Sequence, residues 1–275
     1  MRGRLVEGLE TLVATTPFVT IDGASGGSYR VAGTGSSLLV VLPGVVGAGD
    51  ALAELSAALA NSRRVCFVTY PRARSLADLL RWLEDLRQRE GGGAAALYGG
   101  SFGGLVAQAW LAQAPDSVGD VVLSGTGPPD PARAVKNARA LPWMRRLPMP
   151  AWRALLRLAV RGATRRAADR ESWRAYYGRA IEAFSWDDIE SRYRVSIDLD
   201  AAGPPRRDAL DRWRGRMLVL EGSRDRIARS SARARLRDVY PRAEFHVFEG
   251  AGHGLALEQP DEWLRVVTSF FRRDA

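Results

Sequence analysis

The sequence predicts an α/β fold: a mostly parallel, doubly wound sheet with helices on both faces and a helical insertion after the sixth strand. Three observations carry this. Apolar strand-like runs alternate with helical periodicities through about residue 125, and again from about residue 207. Between them the alternation stops, and residues 126–206 are helical in pattern and rich in Trp and Arg. A glycine-flanked serine, Gly99-Gly100-Ser101-Phe102-Gly103, joins one strand-like run to one helical pattern. The expected division is a core of 1–125 with 207–275, and a helical cap of 126–206. A chain of 275 residues suits one such unit.

The elements follow in order. Phe18 to Asp22 and Ser28 to Ala32 read as two short opening strands around the turn residues GASGG. LLVVL at 38–42 is a continuous apolar run, as expected of a strand buried on both faces. Asp50 is placed to cap a helix over 51–60. The run at 64–70 is the next strand. Leu76, Leu79, Leu80, Leu83 and Leu86 then recur at helical spacing. Strands follow at 94–98 and 120–124, with a helix over 103–114 between them. After the insertion come a strand at 217–222, a helix at 229–239, a strand at 244–250 and a helix from Pro260 to Phe271.

Composition narrows the class. With 46% hydrophobic and 26% charged residues, the chain is globular rather than disordered. The first eighteen residues have no continuous apolar core, so no signal peptide is expected there, and no apolar run reaches membrane-spanning length. Cys66 is the single cysteine and lies in an apolar strand, where a buried hydrophobe is expected. A cytoplasmic location is the expectation. The net charge is +9, and segment 131–180 carries it: twelve arginines and Lys136 stand against Asp169 and Glu171. Lys136 is the only lysine, so arginine usage also reflects overall composition.

The chemistry centres on Ser101. G-x-S-x-G between a strand and a helix puts a serine on a sharp turn that only small neighbours permit. The hydroxyl then stands at a helix N-terminus, where free amides stabilise negative charge. A serine needs a base to take its proton. The chain has two histidines. His246 lies within a strand among apolar residues and reads as a packed side chain. His253 lies in Gly-Ala-Gly-His-Gly after the last strand, at the end of the sheet where α/β sites form. Asp225 follows strand 217–222 and is the candidate to orient the histidine. Asp130 is a weaker acid candidate, six residues beyond its strand. The order Ser101, Asp225, His253 suits this arrangement. Two amides should stabilise the oxyanion: that of Phe102, after the serine, and that of Val45, in the loop after the third strand. Pro43 has no N–H and is excluded.

GGSFGG, GSRD and GAGHG, in this order and context, resemble the α/β-hydrolase superfamily along nearly the whole chain. PGVVGAGD, Tyr70-Pro71, GGSFGGLVAQ, SRYRVSIDLDAAGP and Tyr240-Pro241 are most similar to the maspardin-like branch. Maspardin lacks a catalytic histidine and is regarded as an interaction protein; this chain departs from it by carrying His253. The resemblance implies an α/β-hydrolase fold and a cleavage of carboxylic esters or thioesters through an acyl-enzyme, with no cofactor or metal. A serine nucleophile argues against dehalogenase and epoxide hydrolase chemistry, which in this fold uses aspartate. Lyase, cyclase and acyltransferase chemistry stay open, as does a noncatalytic binding role.

The insertion should govern what reaches the serine. Trp143, Trp152, Trp173, Tyr177 and Trp186 are candidates to line an apolar pocket, or else to pack the insertion on the core. Trp152, Leu155, Leu156, Ala159 and Val160 share a helical face, with Arg153, Arg157 and Arg161 on another. Packing of that face on the core is preferred over a membrane surface. The basic insertion also suits an anionic partner, acyl-CoA or a carrier protein. Nucleic acid is not expected, because no binding module is recognisable.

Overall fold

The computed structural model describes residues 4–21 and 26–272. The chain opens with α1 (Arg4–Thr15), β1 (Val19–Thr20), β2 (Ser28–Ala32) and β3 (Ser37–Leu42). It continues with α2 (Glu54–Leu59), β4 (Arg63–Thr69), α3 (Leu76–Arg89), β5 (Ala95–Gly100), α4 (Phe102–Gln113) and β6 (Val118–Ser124). Five helices follow: α5 (Pro131–Met144), α6 (Met149–Ala163), α7 (Arg170–Ala183), α8 (Trp186–Ala202) and α9 (Arg207–Arg212). The chain ends with β7 (Met217–Gly222), α10 (Ser230–Val239), β8 (Glu244–Phe248), α11 (Leu255–Glu258) and α12 (Pro260–Arg272).

The strands form one sheet in the order β1-β2-β4-β3-β5-β6-β7-β8. β1 pairs with β2, and β2 with β4, in antiparallel register; every other pair is parallel. The chain reverses its direction of travel across the sheet between β3 and β5. Loops leaving those two strands therefore diverge, and the crevice between them is where sites form in open α/β sheets.

The apolar runs are strands because both their faces are covered. Leu39 and Val41 point to one side with Tyr98, Leu218, Trp263, Phe270 and Phe271. Val40 and Leu42 point to the other with Leu97, Val106, Trp110 and Leu123. Each such side chain removed from water contributes about 1.5–3 kcal/mol. α1, α2 and α12 cover the first face, and α3, α4, α8 and α10 the second. No helix among the described residues is long and apolar enough to cross a membrane.

Several local expectations are corrected. α1 was not foreseen; Leu5, Leu9 and Leu12 supply its apolar stripe. The expected strand from Phe18 shortens to Val19–Thr20, and its end at Asp22 and turn residues 23–25 lie outside the described residues. Asp50 caps no helix: it sits inside a 3₁₀ turn, Gly49–Leu52, ahead of α2. α6 packs on α7 rather than on the core. Trp152 is its one buried residue, while Leu155 and Leu158 are 49% and 66% exposed.

The segment between β6 and β7 is braced at polar points, both within itself and to the core. Asp200 of α8 is fully buried; it accepts from the Arg133 guanidinium at 2.6 Å and from the Asp130 amide at 3.1 Å. Asp130 itself caps α5 through the Ala132 amide and pairs with Arg235. Arg192 of α8 is buried, donates to the carbonyls of Tyr70 and Pro71, and stacks on the Tyr70 ring; burial pushes its pKa down to about 10. By contrast Arg157 of α6 pairs with Glu182 in solvent. Removing one partner of a buried pair leaves a charge stranded, whereas an exposed pair contributes little. Arg133→Met should therefore cost about 3 kcal/mol or more, and Arg157→Met under about 1 kcal/mol. Denaturant melts of the two variants check this, and equal losses would contradict it.

Candidate active site

β5 ends at Gly100 and α4 begins at Phe102, so Ser101 alone makes the turn between them. Its φ of 51° and ψ of −112° make it the one described non-glycine residue with positive φ. That conformation costs about 1–3 kcal/mol and persists only where the surroundings impose it. Here the Ser101 amide donates to the Ser124 carbonyl of β6 at 2.9 Å, and its carbonyl accepts from the Gly104 amide at 3.0 Å. The turn also needs space. A Cβ on Gly103 would stand 2.0 Å from the Leu42 carbonyl oxygen, and one on Gly99 2.5 Å from that of Gly103.

His253 lies in the loop after β8. That loop is laced to the one after β7. The Gly250 amide donates to the Ser223 hydroxyl at 2.8 Å, and the Ala251 carbonyl accepts from the Arg224 amide at 2.8 Å. The Gly252 amide donates to Glu258 at 2.9 Å. The lacing brings the imidazole between two partners. His253 Nε2 is 2.9 Å from Ser101 Oγ, and Nδ1 is 2.9 Å from Asp225 Oδ2. An ionised carboxylate only accepts, so Nδ1 carries the proton, and Nε2 of the neutral ring accepts from the serine hydroxyl. The Asp225 side chain is buried, and its second oxygen accepts from the amides of Ile227 at 2.8 Å and Ala228 at 3.0 Å. Three hydrogen bonds fix the carboxylate plane and, through it, the ring. Asp130 and His246 take no part: Asp130 caps α5, and His246 contacts Glu262 at 2.9 Å on the edge strand.

Phe102 is the first residue of α4, so its amide has no intrahelical acceptor. The loop after β3 runs beside it. A Cβ on Gly44 would lie 3.9 Å from Ser101 Cβ. The next amide, that of Val45, makes no backbone hydrogen bond among the described residues, and the Val45 side chain points to solvent. Tyr70 holds the loop by donating to the Pro43 carbonyl at 3.1 Å. Among the described residues no group of three His, Cys, Asp or Glu side chains is arranged to hold a metal ion.

The pattern of the Alpha/beta hydrolase family matches residues 23–266. The chain belongs to that family. This α/β-hydrolase is 27% identical over 271 residues to a 2-hydroxy-6-oxononadienedioate/2-hydroxy-6-oxononatrienedioate hydrolase of Burkholderia vietnamiensis, across 89% of this chain and 90% of that one. Among solved structures it is similar to a hydrolase from Pseudomonas aeruginosa, with a TM-score of 0.75, 19% identity, and coverage of 94% and 99% of the two chains. A thermophilic esterase from Thermogutta terrifontis matches with a TM-score of 0.68, 19% identity, and coverage of 94% and 98%. At these identities the structures share the fold.

Beside Ser101 the α/β-hydrolase has a half-open cavity of about 150 Å³. Trp173 and Tyr177 line it, as do Tyr98, Leu255 and Leu257, which the sequence reading missed. No Arg, Lys, Asp or Glu lines it among the described residues. The other three aromatic candidates lie elsewhere. Trp143 is 67% exposed beneath the Arg146 guanidinium. Trp152 packs edge-to-face on Trp186 at 5.9 Å, and neither ring lines the cavity. Because α6 leans on α7 rather than on the sheet, its aromatic side meets α8 and not the serine. Leu255 and Leu257 were the more legible omission, standing two and four residues after His253. Burial pushes the Tyr98 and Tyr177 phenols up to about 12.

Tyr176 closes α7 over the loop after β3. Its hydroxyl accepts from the Ala48 amide at 3.1 Å and donates toward Asp50 Oδ1 at 3.0 Å, with the Ala48 carbonyl at 3.2 Å. Burial raises the Asp50 carboxyl above its usual range, and the Tyr176 hydrogen bond offsets this only in part. A carboxyl raised on folding favours the folded state below the ordinary value of 3.8, and this contribution is lost as pH climbs through the higher folded value. Asp50→Asn keeps an acceptor for Tyr176 and removes the charge. It should raise the melting temperature at pH 8 and give a smaller gain at pH 4; the reverse order of gains in thermal melts would refute the assignment.

Proposed function

We propose that this chain hydrolyses a carboxylic ester or thioester through an acyl-enzyme on Ser101. The single observation that carries the reading is His253 bridging Ser101 and buried Asp225 at 2.9 Å on each side. Ser101 Oγ attacks the carbonyl while His253 Nε2 takes its proton. Asp225 keeps the ring in the required tautomer and stabilises the imidazolium that forms. The Phe102 and Val45 amides donate to the oxyanion, at a helix N-terminus that favours negative charge. His253 then protonates the leaving group, and a water activated by the same ring releases the acid. In this reading residues 126–206 are a lid on a core of 1–125 and 207–275, since Trp173 and Tyr177 of α7 close the cavity.

The cavity favours a small, uncharged acyl group. A space of about 150 Å³ holds roughly a benzene ring. The Burkholderia relative is named for dioate substrates, and a carbon–carbon cleavage of that kind is the second reading, favoured by the 27% identity. The uncharged lining of the cavity favours the ester or thioester. The hydrogen-bonded serine favours catalysis over the binding-only role suggested by the maspardin-like motifs.

Labelling with a fluorophosphonate, read by peptide mass spectrometry, tests the nucleophile. Ser101 should be labelled in wild type and unlabelled in His253→Ala. Ser101→Ala should abolish ester turnover, and Asp225→Asn should lower kcat about 10⁴-fold, as loss of the orienting acid does in serine proteases. A folded wild type that neither labels nor turns over short acyl or benzoyl esters would overturn the reading.

A further inference from the structure

His253 borders two spaces, not one. Besides the apolar cavity at Ser101, a wider cavity of about 1020 Å³ opens beside the ring. His253 and Ala163 line both, so the two adjoin at the histidine. Their chemistry is opposite. The narrow one is lined by no Arg, Lys, Asp or Glu side chain among the described residues. The wide one gathers six guanidinium groups, from Arg165, Arg166, Arg224, Arg226, Arg229 and Arg233.

These arginines come from two separate places in the chain: the loop after α6, and the loop after β7 with the first turns of α10. The acids among them are already committed. Asp225 is bonded to His253 and two amides, and Glu258 accepts from the Gly252 amide. Arg233 donates to the Ala228 carbonyl at 3.0 Å and lies 3.9 Å from Glu221. Arg166 reaches only the Gly250 carbonyl, at 3.5 Å. The side chains of Arg165, Arg224, Arg226 and Arg229 have no hydrogen bond or ion pair among the described residues. Elsewhere some arginines are matched, Arg72 with Asp188, Arg133 with Asp200, Arg194 with Glu190 and Arg237 with Glu221. Others, such as Arg139, Arg161 and Arg170, stand exposed without a partner among the described residues. Arg165, Arg224, Arg226 and Arg229 differ in sharing one concave space beside His253. Unmatched cations converging on one concave space repel one another and raise the local concentration of anions.

We propose that this cavity takes the leaving group, and that the leaving group is a phosphate-bearing polyanion, so that the substrate is an acyl thioester of the coenzyme A type. The proposal rests on the acyl-enzyme reading. His253 must hand its proton to the leaving atom, so the leaving group lies at the imidazole, beyond the acyl cavity. Ser101 Oγ bonds to the acyl carbon, the carbon–sulfur bond breaks, and the thiolate takes the proton from Nε2. Water then cleaves the acyl-enzyme to the acid. A single carboxylate would engage one guanidinium. Four free ones match several phosphate oxygens, which the planar guanidinium binds in pairs. The wide cavity is large enough for a ligand of cofactor size.

The test compares butyryl-CoA with the butyryl thioesters of N-acetylcysteamine, which is uncharged, and of thioglycolate, which bears one carboxylate. At about 20 mM salt kcat/KM should be at least about tenfold higher for the CoA thioester than for either, and the ratio should fall towards one near 0.5 M salt. Arg226→Glu with Arg229→Glu should collapse the ratio, and Arg165→Glu should do so in part. A ratio near one in wild type, a ratio unmoved by these reversals, or an equal gain with thioglycolate would overturn the proposal. Calorimetry of free CoA binding to Ser101→Ala separates the two readings. Hydrolysis of all three thioesters without preference leaves the acyl-enzyme and removes the polyanion site. CoA binding that the reversals abolish, with no thioester hydrolysed, leaves the site and removes the acyl-enzyme.

Discussion

The arrangement depends on one turn. Ser101 is held at positive φ, where a side chain is strained, because β5 must pass directly into α4 without a loop. The strain is compensated by what the turn allows. α4 packs so closely on β3 that Gly103 has the Leu42 carbonyl against it. The same approach brings Gly44, in the loop after β3, within van der Waals reach of the Ser101 side chain. A longer, relaxed connection would remove the strain and separate these groups. The sheet order reinforces the effect, since β3 and β5 are neighbours whose outgoing loops diverge around the serine.

The other half of the site is built differently. His253 and Asp225 sit on loops with ordinary backbone, and their positions come from hydrogen bonds between those loops. Ser223, Arg224 and Glu258 supply the bonds, and so hold His253 in place. Ser101 is thus fixed by steric necessity and His253 by polar lacing. Rigid strands β7 and β8 beneath the loops keep the lacing short.

Much of this was legible in the sequence because it is local. Glycines around Ser101, the strand before it and the helix after it all fall within a short window. Continuous apolar runs identify strands covered on both faces, and β3, β5, β6 and β7 lie close to where those runs fall. What could not be read was tertiary. Trp152 and Trp173 occupy equivalent-looking positions on helices with similar periodicity, yet one meets Trp186 and the other meets the cavity. Periodicity tells which residues share a face and not which neighbour that face meets. Asp50 failed for a related reason. Its place before an apolar segment looks like a cap, but Tyr176, more than a hundred residues away, claims the carboxylate.

Those long-range contacts also explain how the segment between β6 and β7 relates to the serine. α8 is locked to the core by buried Arg192 and to α5 by buried Asp200, whereas α6 touches chiefly α7 and leaves Leu155 and Leu158 in solvent. α7 lies between these extremes. It is held over the site by the Tyr176 hydroxyl on the Ala48–Asp50 turn, and by Trp173 buried with Leu5 and Leu257. The turn that Tyr176 grips continues the loop bearing the Val45 amide. Position of α7 and course of the loop after β3 are therefore linked through one phenol, since the helix that closes the apolar cavity is the one that grips the turn continuing that loop.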